Sequence, residues 1–256
     1  MSALLEATQI TKSFSGIRAL DGVDLEVAEG ERVGLIGPNG AGKTTFFNCL
    51  LGISPQTTGS IAFDGQDLGG MSVHRRARAG IGRTFQRIEL FSDTTVREHL
   101  LIAERIRNGR GSFFKDLIGL GRPKPDEIAA ADAVLELLGL EALADAPIEM
   151  LSLGKGRLVE VGRALMTEPK LLLLDEPSSG LDRTETEALA QTLREVQALQ
   201  GFAILLVEHD VELVSSFTER TYVLDFGRTI AFGPTAEVMA DSRVRHAYLG
   251  DVEVES

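Results

Sequence analysis

Between residues 32 and 51 the chain runs Arg32-Val33-Gly34-Leu35-Ile36, then Gly37-Pro38-Asn39-Gly40-Ala41-Gly42-Lys43-Thr44-Thr45, then Phe46 to Leu51. An apolar run of strand length feeds a glycine-rich turn, and Thr44 to Leu51 reads as a helix stopped by Gly52 and Pro55. The turn satisfies G-x-x-x-x-G-K-[ST] in the setting that gives the pattern its meaning, after a strand and opening a helix. Its glycines let backbone N–H groups wrap phosphate oxygens, and the helix N-terminus adds a favourable field. Lys43 is expected to neutralise the β- and γ-phosphates of a nucleotide, with the Thr44 hydroxyl as a magnesium ligand. Many unrelated nucleotide-binding machines carry such a loop, so the rest of the chain has to separate them.

A second acidic landmark lies far downstream. Leu171–Leu174 reads as a buried strand ending in Asp175-Glu176. A carboxylate at the carboxyl end of such a strand can hold magnesium, commonly through water, and Asp175 is assigned that role. Glu176 comes next and is placed to polarise an attacking water as general base.

Around these landmarks the texture is that of an α/β chain. The first thirty residues alternate apolar and polar and read as antiparallel strands, and Ser60–Phe63 followed by Asp64-Gly65 is another strand and turn. From Thr95 to Ala144 the pattern turns helical, with Val96, Leu100 and Ala103 on one stripe and Val134, Leu135, Leu137 and Leu138 on another. Asn108 to Pro125, rich in Gly, Pro and basic residues, reads as an irregular surface connection. Strand–helix alternation resumes with Leu171–Leu174, a helix near Glu185–Gln200 and the strand Phe202–Val207. That alternation implies parallel strands with crossover helices, hence an α/β core into which a helical lobe is inserted. Thr221–Leu224 and Arg228–Ala231 read as short strands, followed by a helix near Thr235–Ala240.

Composition narrows the function. At 256 residues, 43% hydrophobic and 25% charged, the chain suits one large globular domain. A net charge of −12 argues against a nucleic-acid partner, which calls for a basic footprint. The balance is uneven: residues 71–124 carry 12 Lys/Arg against 5 Asp/Glu. That stretch is either a solvated face or a surface for anionic lipid heads or an acidic partner loop. The one cysteine, Cys49, sits in an apolar helical run and reads as a buried thiol. No secretory leader pattern opens the sequence, and no apolar run reaches the ~18 residues needed to span a bilayer. The expectation is a cytosolic chain whose membrane role comes through partners.

With these motifs in hand the chain resembles an ABC-type ATPase subunit along nearly its whole length. The resemblance implies a P-loop NTPase (RecA-like) α/β core with an N-terminal antiparallel β subdomain and an inserted α-helical subdomain. It divides the single domain 1–256 into a nucleotide-binding core at 1–92 and 160–256 and a helical part at 93–159. It also implies ATP and Mg2+. Leu151-Ser152-Leu153-Gly154-Lys155 resembles the signature motif, by which Ser152 and Gly154 would reach the γ-phosphate held by an opposing subunit. Gln86 matches the glutamine loop that touches magnesium, Asp182 in Ser179-Gly180-Leu181-Asp182 the D-loop, and His209 the switch histidine at the γ-phosphate. Phe14 takes the place of the ring that stacks on adenine. Leu153 and Lys155 depart from the usual glycine and glutamine.

Finer likeness is to the longer ATPase subunit of branched-chain amino acid importers. It rests on Arg83-Thr84-Phe85-Gln86, Leu90-Phe91, Glu208-His209-Asp210 and Ala247-Tyr248-Leu249-Gly250. Urea or amide importers and lipopolysaccharide exporters share much of this pattern. The partners implied are two membrane permeases, a second ATPase subunit (a copy or a paralogue) and an extracytoplasmic binding protein reached through the permeases. The site would then be the cytoplasmic face of the membrane, and Gln86–Arg110 the dock for a permease loop. Other classes are a non-transport ABC ATPase, which usually carries tandem cassettes or a coiled coil, and a low-turnover regulatory subunit.

Overall fold

The computed structural model of the protein describes residues 3–84, 94–107 and 123–244. In chain order the first elements are β1 (Ala3–Phe14), β2 (Ile17–Ala28), β3 (Arg32–Ile36) and α1 (Lys43–Leu51). Then come β4 (Thr58–Phe63), β5 (Gln66–Asp67), α2 (Val73–Ala79) and β6 (Ile81–Arg83). The helical part holds α3 (Val96–Arg107) and α4 (Pro125–Leu137), leading to α5 (Leu153–Leu165). The remainder alternates: β7 (Leu171–Asp175), α6 (Arg183–Gln200), β8 (Ala203–Val207), α7 (Val211–Phe217), β9 (Arg220–Asp225), β10 (Arg228–Pro234) and α8 (Thr235–Ala240).

Two sheets organise these elements. One is antiparallel, in the order β2-β1-β4-β5; the other runs β10-β9-β3-β8-β7-β6. In the second, β9, β3, β8, β7 and β6 are parallel, and only β10 is antiparallel to its neighbour. Parallel strands need crossovers, and those crossovers cover both faces of the sheet. This explains why β7 and β8 read as unbroken apolar runs, since successive side chains point to opposite faces. Leu171, Leu173, Ala203, Leu205 and Val207 join a core with α1 and the antiparallel sheet. Leu172, Leu174, Ile204 and Leu206 join a second core with α3, α4, α5 and α6. The Cys49 thiol lies in the first core, where burial pushes its pKa up.

Among the described residues the expected strands and helices are present, and four elements go beyond the sequence reading: β5, α2, β6 and α7. Helix α2 and β6 lie in the basic stretch, and two of its arginines are not on a solvated face. Arg76 is 3% exposed and donates to the carbonyls of Cys49 (2.8 Å), Leu50 (2.7 Å) and Leu68 (2.9 Å). A cation at the end of α1 meets the negative pole of that helix and satisfies carbonyls that have no intrahelical partner. Arg83 turns toward Asp175. Gln86, Leu90, Phe91, most of the Asn108–Pro125 connection and Ala247–Gly250 lie outside the described residues.

Candidate active site

Sheet order decides which residues meet. β8 lies between β3 and β7, so the carboxyl ends of three parallel neighbours bring together the glycine turn, Asp175-Glu176 and Glu208-His209. Open parallel sheets place ligands at such strand ends.

The turn after β3 is wedged from two sides. Gly37 has φ 151°, and a Cβ there would fall 2.1 Å from the Leu224 carbonyl oxygen. Gly42 has φ 106°, and a Cβ there would fall 2.8 Å from the Ala19 carbonyl oxygen. The Gly227 amide donates to Ala41 O at 2.9 Å and so ties the β9–β10 hairpin to the turn. These positions need glycine because the backbone itself approaches so closely. Gly42 caps α1 without any side-chain hydrogen bond, so the helix's leading amides are left for another acceptor. Pro38, Asn39, Gly40, Ala41, Thr44 and Thr45 complete the loop and the first turn. Lys43 is 6% exposed, and its Nζ donates to Gly37 O at 2.6 Å and Pro38 O at 3.2 Å. Desolvation pulls its pKa down, while the charges of Glu176, Asp175 and Glu208 push it back up.

Asp175 is 2% exposed and meets Arg83 Nη2 through Oδ2 at 3.3 Å. Burial raises its carboxyl pKa and Glu176 adds to that, while Arg83 and Lys43 pull the other way. Glu176 adopts φ 49°, a left-handed conformation uncommon outside glycine. Its amide donates to Val207 O at 2.9 Å and its carbonyl accepts from Ser179 N at 3.1 Å, which hold the residue in that conformation. Local strain of this kind concentrates where a side chain must be aimed.

Glu208, which the sequence offered only as part of a likeness, has a structural task of its own. It is fully buried, and its Oε1 accepts from Ser178 N (2.9 Å) and Ser178 Oγ (2.6 Å). Its Oε2 accepts from the His209 amide at 3.1 Å and lies 3.7 Å from His209 Nδ1. One carboxylate therefore joins the loop after β7 to the loop after β8. The signal was available: an acid directly after an all-apolar strand is either mispatterned or fully satisfied. The His209 side chain is 60% exposed and free to meet a ligand.

Ser152 and Gly154 stand elsewhere, at the start of α5 beside residues 178–185. Ser152 Oγ caps α5 by accepting from Lys155 N at 3.4 Å. A Cβ on Gly154 would sit 3.3 Å from Glu185 Oε1. Leu153, 39% exposed, places Cδ2 2.9 Å from where a Cβ on Gly180 would be, so its side chain lies along the turn after β7. Lys155 is exposed. Arg157 pairs with Glu160 at 3.1 Å and donates to Ser179 O at 3.2 Å, fastening α5 to that turn. Asp182 caps α6, accepting from Glu185 N at 2.8 Å. Phe14, 47% exposed, ends β1 with Lys12 Nζ 5.0 Å from its ring centroid.

The chemistry of this donor set fits a magnesium–nucleotide: a buried cation, uncapped helix amides, a hydroxyl and hard carboxylate oxygens converge.

Comparison with known proteins agrees with this geometry. The family profile described as "ABC transporter" matches residues 20–179. The high-affinity branched-chain amino acid transport ATP-binding protein BraF of Pseudomonas aeruginosa is 37% identical over 251 residues, covering 97% of this chain and 98% of that one. The lipopolysaccharide export system ATP-binding protein LptB of Escherichia coli is 35% identical over 249 residues, covering 97% and 98%. Among solved structures, the ADP conformation of MJ1267, an ATP-binding cassette of an ABC transporter, superposes with a TM-score of 0.88. It is 33% identical and covers 98% of this chain and 100% of that one. With the profile spanning well over half the sequence and relatives above one-third identity end to end, the chain belongs to the ABC transporter family.

Proposed function

We propose that this chain is the ATP-hydrolysing subunit of an importer of branched-chain amino acids. The observation that carries it is the convergence of Lys43, Asp175-Glu176 and Glu208-His209 at three adjacent strand ends. The likeness to the BraF-type proteins supports the cargo. ATP is the substrate. The turn 37–45 and the amides of α1 bind its phosphates, with Lys43 leaving the Gly37 and Pro38 carbonyls for the β- and γ-oxygens. Phe14 stacks on the base. Thr44 and Asp175, with Gln86, would hold magnesium, whose charge would offset that building on the phosphate oxygens. Glu176 takes the proton of the attacking water, and His209 contacts the γ-phosphate. Ser152, Gly154 and Asp182 act across the seam with a second ATPase chain, where a hydroxyl and helix-terminal amides make an anion site. Closure of the pair, with residues 93–159 moving against the core, drives the membrane subunits from the cytoplasmic face.

Removing the Phe14 ring should weaken ATP binding about tenfold, since a base stacked on an aromatic ring contributes about 1–3 kcal/mol. Equilibrium binding of a fluorescent ATP analogue to Phe14→Ala measures this, and unchanged affinity would take Phe14 out of the site.

Among the described residues no helix is long and apolar enough to cross a membrane, so transport requires separate membrane subunits. A groove of about 580 Å³ between the core and the helical part supports the expected dock. Its walls include Leu51, Ile53, Val73, Ala77, Ile102 and Ala103, with Arg78 and Arg163 among the lining residues. An acidic or amphipathic permease loop complements that lining. Val73 and Ala77 are exposed, so Val73→Asp with Ala77→Asp should spare the fold. That pair should cut membrane recruitment at least about tenfold while ATP binding persists, read by co-sedimentation with membranes from the host cell.

Cargo is tested in the host cell. Lys43→Ala should abolish uptake of labelled leucine and leave sugar uptake unchanged. Normal leucine uptake with failing envelope integrity would favour lipopolysaccharide export, the reading supported by the likeness to LptB.

A further inference from the structure

Arg83 is the residue shared by two places described separately above. It ends β6 beside β7, in register with Leu173, and its guanidinium reaches Asp175 at 3.3 Å. It also lines the 580 Å³ groove between the core and the helical part. Asp175 is 2% exposed, and a buried carboxylate in that setting requires a counter-charge. Lys43 supplies part of it from the glycine turn; the contact position is open to Arg83 or to a divalent metal, and like charges at contact distance repel each other.

We propose that Arg83 is a positioning residue that holds Asp175 while metal is absent and yields it to the metal by turning into the groove. The proposal rests on the reading of Asp175 as a metal ligand. It makes metal binding and groove occupancy reciprocal. A carboxylate presented in the groove that accepts Arg83 raises metal affinity at Asp175, and metal at Asp175 delivers a guanidinium to whatever fills the groove.

Mn2+ affinity at saturating ADP, followed by electron paramagnetic resonance, tests the first half. Arg83→Gln should bind Mn2+ about tenfold more tightly, the scale on which an adjacent arginine shifts a carboxylate's equilibrium. Arg83→Lys, which keeps a charge for folding but loses the fork, should shift in the same direction by less. Asp175→Asn should lose Mn2+ binding. A spin label on Ala77→Cys tests the second half, because Ala77 lines the groove and the native Cys49 is buried. Adding Mg2+ to the ADP-bound chain should change the label's mobility, and Arg83→Gln should erase that change. Unaltered or weaker Mn2+ binding in both Arg83 variants, or an undiminished label response in Arg83→Gln, would overturn the proposal. If Asp175→Asn binds Mn2+ normally, the metal assignment of Asp175 falls first and the proposal with it.

Discussion

Glu176→Gln is expected to bind ATP as the native chain does and to hydrolyse it about a thousandfold more slowly, the middle of the range that a general base contributes. The substitution preserves shape and reach while removing the negative charge and the capacity to take a proton. The backbone around residue 176 is fixed by the bonds to Val207 O and from Ser179 N, and amide for carboxylate leaves both intact. Little stability should therefore change, and single-turnover phosphate release at saturating ATP isolates the chemical step. A variant that turns over ATP at the native rate would exclude Glu176 as the base. The left-handed φ of 49° adds a second test at the same position. Glu176→Gly should relieve about 1 kcal/mol of backbone strain while still losing turnover.

The second large effect belongs to Glu208→Ala. It strips the acceptor from Ser178 N, Ser178 Oγ and His209 N at once. Buried donors left without an acceptor cost about 1–3 kcal/mol each, and loss of the buried carboxylate's own desolvation penalty offsets part of that. A net loss of about 3 kcal/mol is expected by urea unfolding. Because the loops bearing Glu176 and His209 lose their common anchor, kcat should fall about 10- to 100-fold with a much smaller change in KM. Loss of stability without that split would make Glu208 a structural residue only. Glu208→Gln should lie between, since its one remaining carbonyl oxygen can serve Ser178 while its amide nitrogen opposes the His209 N–H.

Much of this site was legible in the sequence, for reasons that differ by residue. Lys43 and Asp175 were readable because each sits in a local pattern tied to its strand: glycines that admit a close backbone, and an acid ending an apolar run. The two-sided burial of β7 and β8 was readable from unbroken Leu, Ile and Val. Arg76 and Arg83 were not, because arginines at close spacing read as a charged face. The burial of Arg76 depends on carbonyls of α1, and the placement of half-buried Arg83 on a carboxylate 92 positions away. Glu208 was visible as a letter but not as a tether, since its partner Ser178 is 30 residues earlier and reaches it only through the pairing of β7 with β8. Helix α2 was missed because a seven-residue segment with Ser72 before it and Gly80 after it carries too few apolar positions to display a period.

Leu153 gains a physical account from the structure. Its side chain approaches the turn at Gly180, and Ser152 beside it stays exposed despite the departure from glycine. Arg157, bonded to Ser179 O, keeps that helix end registered on the turn that follows Glu176. The start of α5 and Glu176 therefore belong to one packed unit within a chain. In the proposed pair, each unit serves its own nucleotide through Glu176 and the opposite one through Ser152.

That composite site is the centre of the account, and light scattering of the Glu176→Gln chain tests it most directly. With ATP and Mg2+ the molar mass should double, return to the monomer value with ADP, and stay monomeric with ATP when Ser152→Glu places a negative charge against the opposing γ-phosphate. A Glu176→Gln chain that remains monomeric at saturating ATP, or a dimer that Ser152→Glu leaves intact, would contradict it.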